Sequence, residues 1–106
     1  MITKRKSRYI LVEPSSTEAR QIFTMLEAEL LRILGQITYT NASPKVVAQY
    51  GRLFAVRVNR GFEKNAVLAL SFAHVQGIGF RTIKISGTLK TLKECAKQYS
   101  LEPDKH

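Results

Sequence analysis

Between Leu30 and Lys93 the chain carries ten basic side chains and one acid. The bases are Arg32, Lys45, Arg52, Arg57, Arg60, Lys64, Arg81, Lys84, Lys90 and Lys93, and the acid is Glu63. Ammonium and guanidinium groups bind phosphate oxygens, and each phosphate neutralised releases condensed counterions. The whole chain has 17 Lys+Arg against 8 Asp+Glu, net +9, and this window accounts for all of it because the two flanks cancel. Charge kept for solubility mixes both signs over the surface, so a one-sign window points to a polyanionic partner. A second feature is Ser86-Gly87-Thr88, set between an alternating run and a lysine-bearing helical run. A helix N-terminus there, beside Lys84 and Lys90, is a place to hold a phosphate. The same residues also make an ordinary cap, with Thr88 accepting from first-turn amides and Gly87 relaxing the turn.

Catalysis by the chain itself finds little to work with. General acid–base or metal-assisted chemistry needs clustered carboxylates, histidines or cysteines. The only Asp is Asp104 near the C-terminal end, and five of the seven glutamates fall on helical segments. His106 is the last residue, and His74 reads as a helix-surface or packing histidine. Cys95 continues an apolar stripe with Leu92, as a structural thiol does. No P-loop, dinucleotide fingerprint or zinc spacing occurs, and Gly77-Ile78-Gly79 reads as a turn. We therefore expect no catalytic residues, no metal ligands and no cofactor on this chain.

The elements that must position the basic residues follow from periodicity. At 106 residues and 44% apolar the chain is expected to form one domain. Within it, 1–7 read as a basic arm, 8–99 as the body and 100–106 as a frayed tail. No apolar run approaches the ~20 residues of a membrane span, and a lone cysteine fits a reducing compartment. A soluble cytoplasmic protein is expected. "RYILVE", Arg8 to Glu13, reads as a strand stopped by Pro14. Ser15-Ser16-Thr17-Glu18 is a capping box, opening a helix with its apolar stripe at Ala19, Ile22, Phe23, Leu26, Leu30, Ile33 and Leu34. Gly35 ends that helix, and "QITYTNAS" from Gln36 to Ser43 is unpatterned and reads as a loop. A hairpin follows, Pro44 to Tyr50 and Leu53 to Asn59, turning at Gly51-Arg52. A second helix from Phe62 to Val75, a strand from Phe80 to Ser86 and a third helix from Thr88 to Tyr99 complete the chain.

The order β-α-β-β-α-β plus a C-terminal helix is the α+β ferredoxin-like arrangement, shared by RNA-recognition motifs. Alternation places Phe54, Val56 and Val58 on one sheet face with Ile83 and Ile85, and gathers Arg57, Asn59, Thr82 and Lys84 on the other. "GRLFAVRV" has Ala55 and Val58 where an RNA-recognition motif carries stacking rings. Phosphate and shape contacts from Arg and Lys are expected, and sequence-specific reading of single-stranded RNA by base stacking is not. The second helix has Phe62, Ala66, Ala69, Leu70 and Ala73 on one side, and Leu68, Phe72 and Val75 on another. Such a helix wants cover on two sides. Either the third helix or a loop supplies the second cover, or a protein partner does.

Three segments in this order, "RYILVE", "AVRVNRGFEKNAVLALSF" and "FRTIKISGTLKTL", resemble the archaeal ribonuclease P protein component 2, the small Pop-type subunit. The resemblance covers roughly Arg8 to Leu92. It implies a non-catalytic subunit of the ribonucleoprotein that removes 5′ leaders from precursor tRNA, in which the RNA is the catalyst and uses magnesium ions. It also implies pairing with the protein component 3 and self-association into a heterotetramer. "MITKRKS" stands where family members often carry a Leu-Pro-Pro lead-in, and Leu89 stands where the closing signature usually has Ile. The candidate RNA contacts are Lys4, Arg5, Lys6, Arg8, Arg57, Asn59, Arg60, Lys64, Arg81, Lys84, Thr88 and Lys90. The candidate protein-contact residues are Leu68, Phe72 and Val75. Two other classes share this strand order: a small-molecule-binding regulatory domain of the ACT type, and another ferredoxin-like RNA-binding protein such as a ribosomal subunit.

Overall fold

The β-forming run around "RYILVE" makes the central strand of the computed structural model, which describes residues 7–15 and 23–101. Lys4, Arg5 and Lys6 of the basic arm and Ser16, Thr17 and Glu18 of the capping box lie outside those residues. The elements are β1 (Ser7–Pro14), α1 (Phe23–Leu34), α2 (Gln36–Ala42), β2 (Lys45–Tyr50), β3 (Leu53–Asn59), α3 (Glu63–Phe72), β4 (Phe80–Ser86) and α4 (Leu89–Leu101). The sheet order is β2-β3-β1-β4, with every neighbouring pair antiparallel. This is the ferredoxin-like α+β arrangement with a C-terminal helix. Pro14 closes β1 opposite Phe80, at the strand end where its missing N–H interrupts least.

Period-2 alternation divides β1 and β3 between two cores. Ile10, Val12, Phe54, Val56 and Val58 face α1 and α3, where they meet Leu26, Leu30, Ala66, Ala69 and Leu70. The small alanines of α3 let its backbone approach the sheet closely. Phe54 is the hub, with its ring centroid 4.9 Å from Phe23 and 6.0 Å from Phe80 in tilted and edge-on geometry. The opposite face carries Leu11, Leu53 and Ala55 under Leu92 and Ala96 of α4, with Ile83 and Cys95 packed beside them. The third predicted helix therefore covers the sheet face that an RNA-recognition motif leaves open.

Two expectations are corrected. Gln36 to Ser43 is a helix, not a loop. Gly35, at φ 82°, ends α1 and lets α2 start at once in a new direction. Only Tyr39 and Ala42 of α2 turn toward the core, while Ile37 is exposed, so a seven-residue element shows no apolar period. Ile37, Thr38 and Thr40 are β-branched and lower its helix propensity, which packing overrides here. The second correction concerns β4. Leu11 pairs with Lys84 and Val12 with Thr82, so Ile83 is the extra residue of a β-bulge. The bulge breaks strict alternation. Thr82 faces α1 and α3 with Phe80, whereas Ile83 packs under α4, so Thr82 and Ile83 lie on the reverse of their expected faces.

Candidate nucleic-acid interface

Strand register decides which basic groups come together. Arg57 lies opposite Lys45 on β2 and opposite Tyr9 on β1, and Tyr9 lies opposite Ser86 on β4. Lys45, Arg57, Tyr9 and Ser86 thus form one row across all four strands, on the α4 side of the sheet. Alpha-helix four covers Leu11, Leu53 and Ala55 and leaves this row at the sheet end open, with Lys45 and Arg57 exposed. Like charges directly opposite on neighbouring strands are destabilising. Among the described residues neither Lys45 nor Arg57 pairs with an acid.

The row runs into an open groove of about 320 Å³ lined by Ser7, Arg8, Tyr9, Arg60 and Gly87. Arg8 is held from behind: its Nε lies 3.2 Å from Glu63 Oε2, a charge contact without hydrogen-bond alignment. Glu63 Oε1 accepts from the Gly61 amide at 2.6 Å. Its own amide and that of Gly61, with the charges of Arg8 and Arg60, outweigh burial and hold the Glu63 carboxyl below its ordinary range. The single acid of the basic window is therefore ionised and fixed against Arg8 and the Gly61 amide. It positions Arg8 and leaves the two arginines with a surplus positive charge.

The other candidates divide by how they are engaged. Lys64, Lys84 and Lys90 are exposed, Lys84 opposite Leu11 on the α4 side of the sheet. Thr88 caps α4, its hydroxyl accepting from the Thr91 amide at 3.3 Å, so its first task is structural. Asn59 donates to the Asn41 carbonyl at 2.6 Å and satisfies the end of α2. Thr82 faces the other side of the sheet. Leu68 and Phe72 are exposed on α3, at 60% and 64% of their surface. Val75 does not share their stripe: it lies beyond the end of α3, buried, in a bridge with Ile78.

Arg81 belongs to a different cluster. Its guanidinium donates to Glu13 Oε1 at 2.5 Å, Arg52 reaches Glu13 Oε2 at 2.6 Å, and the Tyr99 hydroxyl donates to Oε1 at 2.8 Å. One carboxylate so ties β1, the β2–β3 turn, β4 and α4 together. Burial pushes the Glu13 carboxyl up, but the hydrogen bonds from Tyr99 and Arg81 and the charges of Arg52 and Arg81 prevail and hold it lowered. A lowered folded value means stability that is complete above the ordinary carboxylate value, 4.5, and is lost as pH falls through the folded value. Glu13→Gln is expected to lower unfolding stability by roughly 1–2 kcal/mol at pH 7. In urea titrations across pH, the gap between the two proteins should narrow as pH falls below 4.5 and through the lowered folded value of Glu13. A gap that persists in acid would show that Glu13 acts through packing.

Sequence reasoning missed Lys45 as a contact, and it missed Tyr9. Its alternation with Leu11 and Glu13 was visible in "RYILVE", but its place beside Arg57 depends on register. Among the described residues, no three His, Cys, Asp or Glu side chains gather as metal ligands would. No helix among them is long and apolar enough to cross a membrane.

The described residues form a ferredoxin-like sheet with helices on both faces and, at one sheet end, two cations, Lys45 and Arg57, that pair with no acid among those residues. The Rpp14/Pop5 family model matches residues 8–97, and the chain belongs to this family of ribonuclease P protein subunits. Its fold is similar to that of a chain in the cryo-EM structure of yeast ribonuclease MRP, with a TM-score of 0.58 and 16% identity. That similarity covers 94% of this chain and 98% of the yeast one. No curated protein matches the sequence.

Proposed function

We propose that this chain is the small Pop-type subunit of a ribonuclease P, corresponding to the archaeal component 2, and that it binds and stabilises the catalytic RNA. The observation that carries this reading is the row of Lys45 and Arg57 running into the groove of Arg8 and Arg60. Two cations placed opposite one another without an acid are a local cost to folding, and a phosphate backbone laid across the row reverses its sign. Family membership supplies the assembly in which such a backbone is found. Arg8, Lys45, Arg57, Arg60, Lys64, Lys84 and Lys90 are the proposed phosphate contacts, extended by Lys4, Arg5 and Lys6. Arg81, Asn59 and Thr88 make contact only secondarily, since each has a structural partner.

Cleavage of precursor tRNA in this reading belongs to the RNA. A hard divalent cation takes several oxygen ligands, and Glu63, the acid that meets Arg8 of the groove, is already tied to that arginine and to the Gly61 amide. The magnesium ions implied by the resemblance therefore fit the RNA and not this chain. Leu68 and Phe72 offer an apolar contact for component 3 or for a second copy of the chain. The test is reconstitution of ribonuclease P RNA with the other protein subunits, assaying removal of the 5′ leader with and without this chain. Omission is expected to lower the rate at moderate magnesium concentration. Cleavage that is indifferent to omission would overturn the reading.

A further inference from the structure

We propose that the groove beside β1 takes one unpaired nucleotide of the bound RNA, its base stacked on the Tyr9 ring and its phosphate held between Arg8 and Arg60. This rests on the RNA-binding reading above and goes beyond it by naming Tyr9 and an unpaired base. Tyr9 is half-buried: it packs against the second core cluster and also lines the groove. A ring backed in this way is already ordered, so a base loses little freedom of the protein side chain when it stacks. The groove volume lies at the lower end of that for small ligands, the scale of one nucleotide and not of a duplex. Arg57 on β3 and Ser86 on β4 are the cross-strand partners of Tyr9. A base on Tyr9 would therefore have a guanidinium at one edge and a hydroxyl at the other.

The charge pattern favours RNA over other anions. Arg8 and Arg60 lie at the groove, while Arg57 and Lys45 continue along one line away from it. A single anion has no use for that extension, whereas the chain on either side of a flipped nucleotide does. The expectation that base stacking is absent came from Ala55 and Val58 on β3. The ring stands one strand over, on β1, where the register brings it to the same open row.

The test uses the full chain with a short single-stranded RNA carrying 2-aminopurine and a blunt-ended, fully paired RNA duplex of similar length. The wild-type protein should quench 2-aminopurine and prefer the unpaired RNA. Tyr9→Leu should abolish the quenching and weaken the single-stranded complex roughly tenfold, leaving duplex affinity unchanged. Tyr9→Phe should keep both signals. If Tyr9→Leu does not fold, photocrosslinking of wild type to 4-thiouridine RNA decides, with the adduct expected on Tyr9. Quenching and affinity unaffected by Tyr9→Leu, or crosslinks confined to other strands, would overturn this assignment and leave the subunit reading intact. Failure of the wild-type chain to bind either RNA would overturn both.

Discussion

Replacing Lys45, Arg57 and Arg60 together by alanine is expected to weaken RNA binding by tenfold to hundredfold near 0.1 M salt. The slope of log affinity against log salt should fall by about two to three units, because each lost phosphate contact removes ~0.7–0.9. The fold should not suffer. None of the three makes an ion pair among the described residues, and the substitution removes the like-charge opposition of Lys45 and Arg57. A small gain in stability, a few tenths of a kcal/mol, is the expected sign. Arg81→Ala is the matched control: it removes one charge whose guanidinium already serves Glu13. It should change the salt slope by less than one such unit while lowering the unfolding midpoint. An unchanged slope in the triple variant, measured by fluorescence anisotropy, would remove the sheet row as the phosphate contact.

The largest stability effect is expected at Phe54, which is 1% exposed and meets both Phe23 and Phe80. Truncation to alanine loses the transfer energy of the ring and leaves a cavity that the surrounding strands cannot fill. The expected cost is about 3–5 kcal/mol, against a total stability on the order of 5–15 kcal/mol for such a domain. Thermal unfolding should move down by roughly 12–30 °C. Urea titration should show a lower midpoint with an unchanged slope. Phe54→Leu, which keeps most of the volume, should recover much of the loss. A loss below about 1 kcal/mol for Phe54→Ala would mean that the three rings do not form the structural hub.

Local chemistry was legible wherever one element explains itself. The boundaries of β3 and β4 follow from their alternating β-formers, and Thr88 caps α4 as its type and position imply. The ferredoxin-like order follows from the sequence of these elements. The α2 helix escaped notice because two inward residues, Tyr39 and Ala42, are too few to make a period. Thr82 and Ile83 lie on faces opposite to those expected because one bulged residue, Ile83, shifts the alternation, and nothing in "FRTIKIS" announces it, whereas Lys84 and Ile85 beyond the bulge keep their expected faces.

What the amino-acid sequence determined alone is the quantity of charge, its confinement between Leu30 and Lys93, the strand and helix order, and the motifs of the family. Those are properties of composition and short-range spacing, which need no folded partner. The tertiary structure decided which cations are engaged and which are open. Glu13 takes Arg81, Arg52 and Tyr99, the last from 86 positions away, and Glu63 takes Arg8. Lys45, Arg57 and Tyr9 become neighbours only through strand register. A sheet joins residues that are distant along the chain, and the pairing that joins them is set by burial on two faces at once. No local period carries that information.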